Sequence, residues 1–414
     1  MSEPPIEIVS SGRMSGRLVP VTDYSPARAD VASASAEPAL PHETPWCAGV
    51  FTGIGSLPGT DPDEAAALVA GELPDLPHLV ELPNRGVGAD MLGRALAICV
   101  DLPAEVVPSG WRLARRTGRD MRRANDFLAW DLDAAEQHYA GAPRVKVQVA
   151  GPWTLAANVE TPRGHRALTD DGAVRDLAAS LAEGLAAHLA DLARRLPGTR
   201  FVVQIDEPSL PAVLVGSLST ASGFGSVPAI PAAEAEQVLA ELVGSLGDRP
   251  TVAHCCHRDI PLNLLRRAGF GAVSLDLTRG SALPPAALDA IGEAVEAGTV
   301  LLAGIVPTAS PGGSDAPSPD TSSYSMAPPG EGTMPESMAP QEESGRGASG
   351  PLSYRDIAAP LLDIWHRLGL PDASLERVAV TPVCGLASAT PSWTRRALRL
   401  SRDAARLLAD RAHG

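Results

Sequence analysis

The strongest constraint on this chain is a repeated alternation. Short, continuous apolar runs give way to longer amphipathic segments eight times over. Strands are expected at 48–54, 78–82, 145–150, 200–205, 250–254, 272–277, 299–305 and 377–382. Helical periodicity follows each, over about 61–72, 86–99, 167–195, 231–246, 259–268, 283–297, 353–368 and 390–411. A further helical stretch, 111–139, lies between the second and third strands. Strands apolar along their whole length are buried on both faces, and helices between them make the sheet parallel. Eight such units predict an α/β fold, a single (β/α)8 TIM barrel with its active site at the C-terminal ends of the strands.

Two stretches stand outside this pattern. Residues 1–45 and 308–350 are dense in Pro, Ser, Gly and Glu and poor in branched apolar residues, so they cannot bury enough surface to offset their ordering entropy. The expected organisation is a disordered tail (1–45) and one barrel (46–414) with a flexible insertion on its rim (308–350). A net charge of -15 disfavours nucleic acid and anionic membrane surfaces as partners. The five cysteines are few and odd in number, which argues against a disulfide framework and for a reducing, cytoplasmic setting. No apolar stretch approaches the roughly 20 residues that cross a bilayer, and the N-terminal segment has no signal-type apolar core.

If the barrel reading holds, unusual residues should collect just after the strands, and they do. Ile54-Gly55-Ser56 follows the first expected strand, Gly151-Pro152-Trp153-Thr154 the third, and Asp206-Glu207-Pro208 the fourth. His254-Cys255-Cys256 closes the fifth, Asp276 the sixth and Cys384 the eighth. One imidazole and two thiols suit zinc, and three protein ligands leave a position open for chemistry. A lone cysteine at a strand end is more often core than ligand, so it is the set that carries the reading. Cys255, pointing to the opposite face from its neighbours, is expected to be a packed thiol. Asp206 and Glu207 end an apolar run, where two carboxylates cost solvation unless they grip something cationic, such as an ammonium. The alternative for that pair is a helix cap or a rim ion pair. The Gly55-Ser56 turn offers a hydroxyl and backbone N–H groups to a carboxylate.

Taken together, Ile54-Gly55-Ser56-Leu57-Pro58, Gly151-Pro152-Trp153-Thr154, Gln204-Ile205-Asp206-Glu207-Pro208, His254-Cys255-Cys256 and Cys384-Gly385-Leu386 resemble, in order, the C-terminal zinc barrel of cobalamin-independent methionine synthases. The resemblance spans about 46–411. It implies zinc held by His254, Cys256 and Cys384, with the family's glutamate ligand replaced by Asp276, a side chain one methylene shorter. It also implies that Asp206 holds the ammonium of homocysteine and the Ser56 turn its carboxylate, with Glu207 and Trp153 in the same substrate region.

Three features depart from the family. Its additional N-terminal barrel corresponds here only to the tail. Its Asp-Ile-His-Ser-Pro motif, which supplies a proton-donating histidine, reads Pro307-Thr308-Ala309-Ser310-Pro311. Its glutamate after the second strand is replaced within Leu82-Pro83-Asn84-Arg85, with Glu81 one step away.

The implied activity is a zinc-dependent methyltransferase that activates homocysteine as a zinc thiolate and forms methionine. The methyl donor would be methyltetrahydrofolate or a methylcorrinoid. The alternatives are another zinc thiol methyltransferase, of the coenzyme M type, or a non-catalytic zinc-binding barrel.

Overall fold

The apolar runs form a parallel sheet. The computed structural model describes residues 48–220, 225–311 and 352–414. Among these the strands are β1 (Ala104–Val107), β2 (Gly110–Leu113), β3 (Arg144–Ala150), β4 (Val159–Glu160), β5 (Arg200–Asp206), β6 (Thr251–His254), β7 (Ala272–Asp276), β8 (Val300–Val306) and β9 (Val378–Pro382). Six of them make one curled, all-parallel sheet in the order β3-β5-β6-β7-β8-β9.

The first two expected strands take a different form. Residues 50–57 and 77–81 pair through isolated bridges rather than ladders: Phe51 with Val380 of β9, His78 with Lys146 of β3, and Ser56 with Glu81 between the two segments. Val380 and Thr52 donate N–H groups to Val50 O (3.0 Å) and Val380 O (3.1 Å), and Lys146 donates to Pro77 O (2.8 Å). Bridges therefore run from β9 through both segments to β3. The pairing stays short for a local reason, since Pro77 has no N–H to give a ladder and Gly53, Gly55 and Pro58 interrupt the other segment.

Helices fill the connections. α1 (Pro62–Glu72) and α2 (Met91–Ile98) follow the two bridged segments, and α3 (Arg119–His138) leads into β3. α4 (Pro152–Asn158) and α5 (Asp171–Arg195) lie between β3 and β5, and α6 (Leu210–Val215) and α7 (Ala232–Ser245) between β5 and β6. α8 (Leu262–Arg267), α9 (Pro285–Glu296) and α10 (Tyr354–Leu368) follow β6, β7 and β8, and α11 (Pro391–His413) ends the chain.

The helix expected over 111–139 is corrected at its start, because Gly110–Leu113 is strand and α3 begins at Arg119. β1 and β2 form an antiparallel hairpin whose turn needs the positive φ of Gly110 (125°), and β2 continues in parallel onto β4. Buried Trp111 anchors it, donating from Nε1 to Asp90 Oδ1 (3.0 Å). The expected tail (1–45) lies outside the described residues, as does the insertion beyond residue 311.

Register sorts the sheet into two chemically distinct faces. Val147, Val203, Ile205, Ala253, Val273, Leu301, Ala303 and Val380 belong to the large core that includes the helices. The opposite parity forms rows across the ladder: Gln148-Gln204-Val252-Ala272-Val300, then Ala150-Asp206-His254-Ser274-Leu302-Ala379. On this inner face a small separate cluster, including Val202, Val252, Ala272, Leu302 and Ala379, lies among buried polar groups. Lys146, Gln148, Gln204, Asp206, His254 and Ser274 thus all lie buried on this one face of the sheet.

Helix packing depends on close approach at α5. A methyl group added at Gly184 would lie 1.9 Å from Ile98 O at the end of α2. Gly244 in α7 has nothing within 4 Å of the same position. Gly184→Ala is therefore expected to lose about 3 kcal/mol or more through overpacking against backbone. Gly244→Ala should gain up to about 1 kcal/mol from reduced unfolded-state freedom. Denaturant unfolding of both variants checks the pair, and equal effects would contradict the packing described.

Candidate metal centre

His254 is the last residue of β6, Cys256 lies two residues beyond, and Cys384 lies two residues beyond β9. Although more than a hundred residues separate the two cysteines in sequence, one ligand atom from each of the three residues falls within 4.8 Å of the others. Ser274, the register partner of His254, fixes the imidazole through Oγ at 3.0 Å from Nδ1. Nε2 is left buried and without a hydrogen-bond partner. An oriented imidazole with one free nitrogen is the arrangement a metal-ligating histidine adopts.

The two thiols are inequivalent. Cys384 and then His254 beside it draw the Cys256 thiol down to about 4, whereas the same neighbouring sulfur and burial push Cys384 far up. The pair shares one proton, with the negative charge on Cys256. Cys255 points the other way, is fully buried, and is pushed up to about 12 by desolvation. It is a neutral core thiol.

Asp206 sits beside this cluster as the register partner of His254. Burial raises its pKa, opposed by the charges of His254 and Lys146 and by a hydrogen bond from Gln204. Oδ1 accepts from Gln204 Nε2 (2.7 Å). Ser56 is also close: Leu386 N–H donates to Ser56 O (2.7 Å), and a Cβ at Gly385 would meet Ser56 Oγ at 1.9 Å. Glycine is what lets the Cys384 loop lie against Ser56. Gly55 likewise makes room for Gln148, whose Nε2 reaches Leu79 O (2.6 Å) and would sit 2.8 Å from a Cβ there.

Other expected site residues lie elsewhere. Glu207 has the opposite parity to Asp206 and turns toward α4, where Oε1 accepts from Trp153 N–H (3.0 Å). Its Oε2 accepts from Thr154 N–H and Oγ1 (both 2.7 Å). It caps the start of that helix, and burial raises its pKa to about 7 despite these bonds. Trp153 is fully buried, with Nε1 donating to Ala235 O (3.1 Å) in α7. Asp276 closes a turn, accepting from Thr278 N–H (2.8 Å) and Oγ1 (2.6 Å), and shares a cleft with His257 and Arg258. The cluster among the described residues comprises the other three expected ligands and not Asp276.

Sequence reasoning missed the charged floor beneath the cluster. Lys146 is fully buried, donating from Nζ to Ile54 O (2.7 Å) and Gln204 Oε1 (2.6 Å). Glu81 is pushed up to about 7 by burial, against the pull of Arg94 at 3.8 Å. Arg94 and Arg85 both bond Asp131 Oδ2. A signal was available: Arg144, Lys146 and Gln148 alternate with three valines in β3, so a polar face had to exist.

No family model matches the chain, and no curated protein matches it in sequence. Among solved structures it is similar to a B12-independent methionine synthase from Shewanella sp. W3-18-1, in complex with selenomethionine. The TM-score is 0.50 at 11% identity, covering 88% of this chain and 98% of that one. At that identity the similarity is one of fold. Among the described residues no helix is long and apolar enough to cross a membrane.

Because Cys384 and His254 hold the Cys256 thiol well below the ordinary thiol range, its thiolate forms at mildly acidic pH and persists as pH rises. Iodoacetamide is expected to alkylate Cys256 of the metal-free protein at a rate that is flat from about pH 5.5 to 8. Cys99 and Cys255, both pushed up to about 12, stay unmodified over that range. Peptide mass mapping reads the sites. A Cys256 rate climbing about tenfold per pH unit toward pH 9, as for an ordinary thiol, would contradict the shared-proton pair.

Proposed function

We propose that the chain is a zinc-dependent thiol methyltransferase acting on homocysteine, built on a (β/α)8 barrel. In this reading the two bridged segments count as the first two barrel strands, and residues 46–414 are the catalytic domain. The observation that carries the reading is the meeting of His254, Cys256 and Cys384 from two strand ends, with an imidazole nitrogen left free.

The donor set fits zinc. One nitrogen and two sulfurs within 4.8 Å of one another are borderline and soft ligands, and an acidic thiol is ready to ligate without first losing a proton at neutral pH. Asp276, held by Thr278, lies outside this set, so the proposed site has three protein ligands and a place for a fourth. Zinc, when bound, supplies the positive charge that keeps a substrate thiol ionised at neutral pH, where an alkyl thiol of pKa near ~8.5 is mostly protonated.

The chain's own residues do the rest. Asp206, next to His254, offers its carboxylate to the substrate ammonium, and the Ser56 turn, packed against Gly385, serves the substrate carboxylate. Together they aim the thiol. The apolar inner cluster keeps water from below. The methyl donor is methyltetrahydrofolate or a methylated corrinoid. The stretch Pro307-Thr308-Ala309-Ser310-Pro311 carries no imidazole to protonate a folate nitrogen, which favours the corrinoid, whose methyl group needs no such proton.

The purified chain is expected to hold one zinc and to form methionine from homocysteine, faster with methylcobalamin than with methyltetrahydrofolate. Cys384→Ser should lose both metal and turnover. Metal analysis alongside a methionine assay with each donor checks this. Wild-type protein that binds no zinc would overturn the reading, and zinc-loaded protein inactive with both donors would remove the reaction.

A further inference from the structure

The inner face of the sheet buries an ammonium with no carboxylate directly bonded to it. Lys146 Nζ reaches only Ile54 O and Gln204 Oε1 among the described residues. Burial draws its pKa down to about 8, and the nearby charges of Asp206 and Glu81 pull it back up. A buried cation is costly, so its placement calls for a reason beyond filling space.

The reason lies in what the lysine does to Gln204. An amide side chain has an accepting end and a donating end, and its orientation is set by its neighbours. Lys146 has only donors, so Oε1 of Gln204 must face it. Nε2 then points the other way and donates to Asp206 Oδ1 (2.7 Å) and Ile54 O (3.0 Å). Among the described residues no other hydrogen bond reaches the Asp206 carboxylate, so its second oxygen is free. Asp206 in turn stands next to His254 in register.

We propose that Lys146 is a positioning residue for substrate recognition: through the Gln204 amide it holds the Asp206 carboxylate so that its free oxygen meets the ammonium of an amino-acid thiol. The inference rests on the functional reading above and adds a specificity device to it. A lysine that merely filled the sheet interior would affect all thiols alike. One that aims Asp206 affects only thiols that carry an amine.

Titration calorimetry of the zinc-loaded full chain separates the two, using homocysteine and 4-mercaptobutyrate, which is the same thiol without the amine. Lys146→Met is expected to weaken homocysteine about tenfold or more, about 1.4 kcal/mol, and to leave 4-mercaptobutyrate within about twofold. Zinc content should be unchanged. Gln204→Glu carries the test if that variant does not fold, because it keeps an acceptor for Lys146 but sets a carboxylate against Asp206. The same selective loss is expected. Losses equal for both thiols, or no loss for either, while wild type binds homocysteine, would overturn this inference alone. Wild type that binds neither thiol would overturn the functional reading and the inference with it.

Discussion

Parallel pairing places Asp206 and His254 side by side, because the ladder between β5 and β6 admits one register and each step of it carries side chains to the same face. The same ladder sets Ser274 against His254, where its hydroxyl orients the ring. A slip of one residue in β6 would turn His254 and Cys256 into the helix layer and bring Cys255 inward. Ligand geometry is therefore a consequence of strand register, and strand register follows from the all-apolar face that packs on the helices.

That face explains what was legible from sequence. Long apolar runs separated by amphipathic segments marked the six paired strands to within a residue or two, and residues just past their ends located His254, Cys256 and Cys384. Lys146 was not legible, because Arg144, Lys146 and Gln148 alternating with valines look like a half-exposed strand; only the curling of the sheet turns the polar half inward. Glu207 was misplaced by adjacency to Asp206, although alternation sends neighbours to opposite faces, and here it serves the start of α4. The hairpin of β1 and β2 was hidden by its brevity, and by Glu105 and Arg112 within it.

The inner face combines opposing demands. An apolar cluster fills part of it, while Lys146, Gln204 and Asp206 are buried and Glu81 half-buried, with the charges of Lys146, Asp206 and Glu81 in mutual reach. Lys146, Asp206 and Glu81 each have their pKa displaced by desolvation, which is costly unless the arrangement serves a ligand. The amide of Gln204 links the lysine to the carboxylate beside His254, so the polar floor and the sulfur-nitrogen cluster form one connected site. Under the proposed function, that site would receive a small thiol bearing a positive group.

The central claim is that three side chains hold a metal and leave one position for a substrate thiol. Zinc K-edge X-ray absorption of the loaded protein tests it directly. The account predicts two sulfur neighbours at about 2.3 Å in the free protein and three after homocysteine is added. A sulfur count unchanged by homocysteine, or a metal already saturated by four protein ligands, would contradict it.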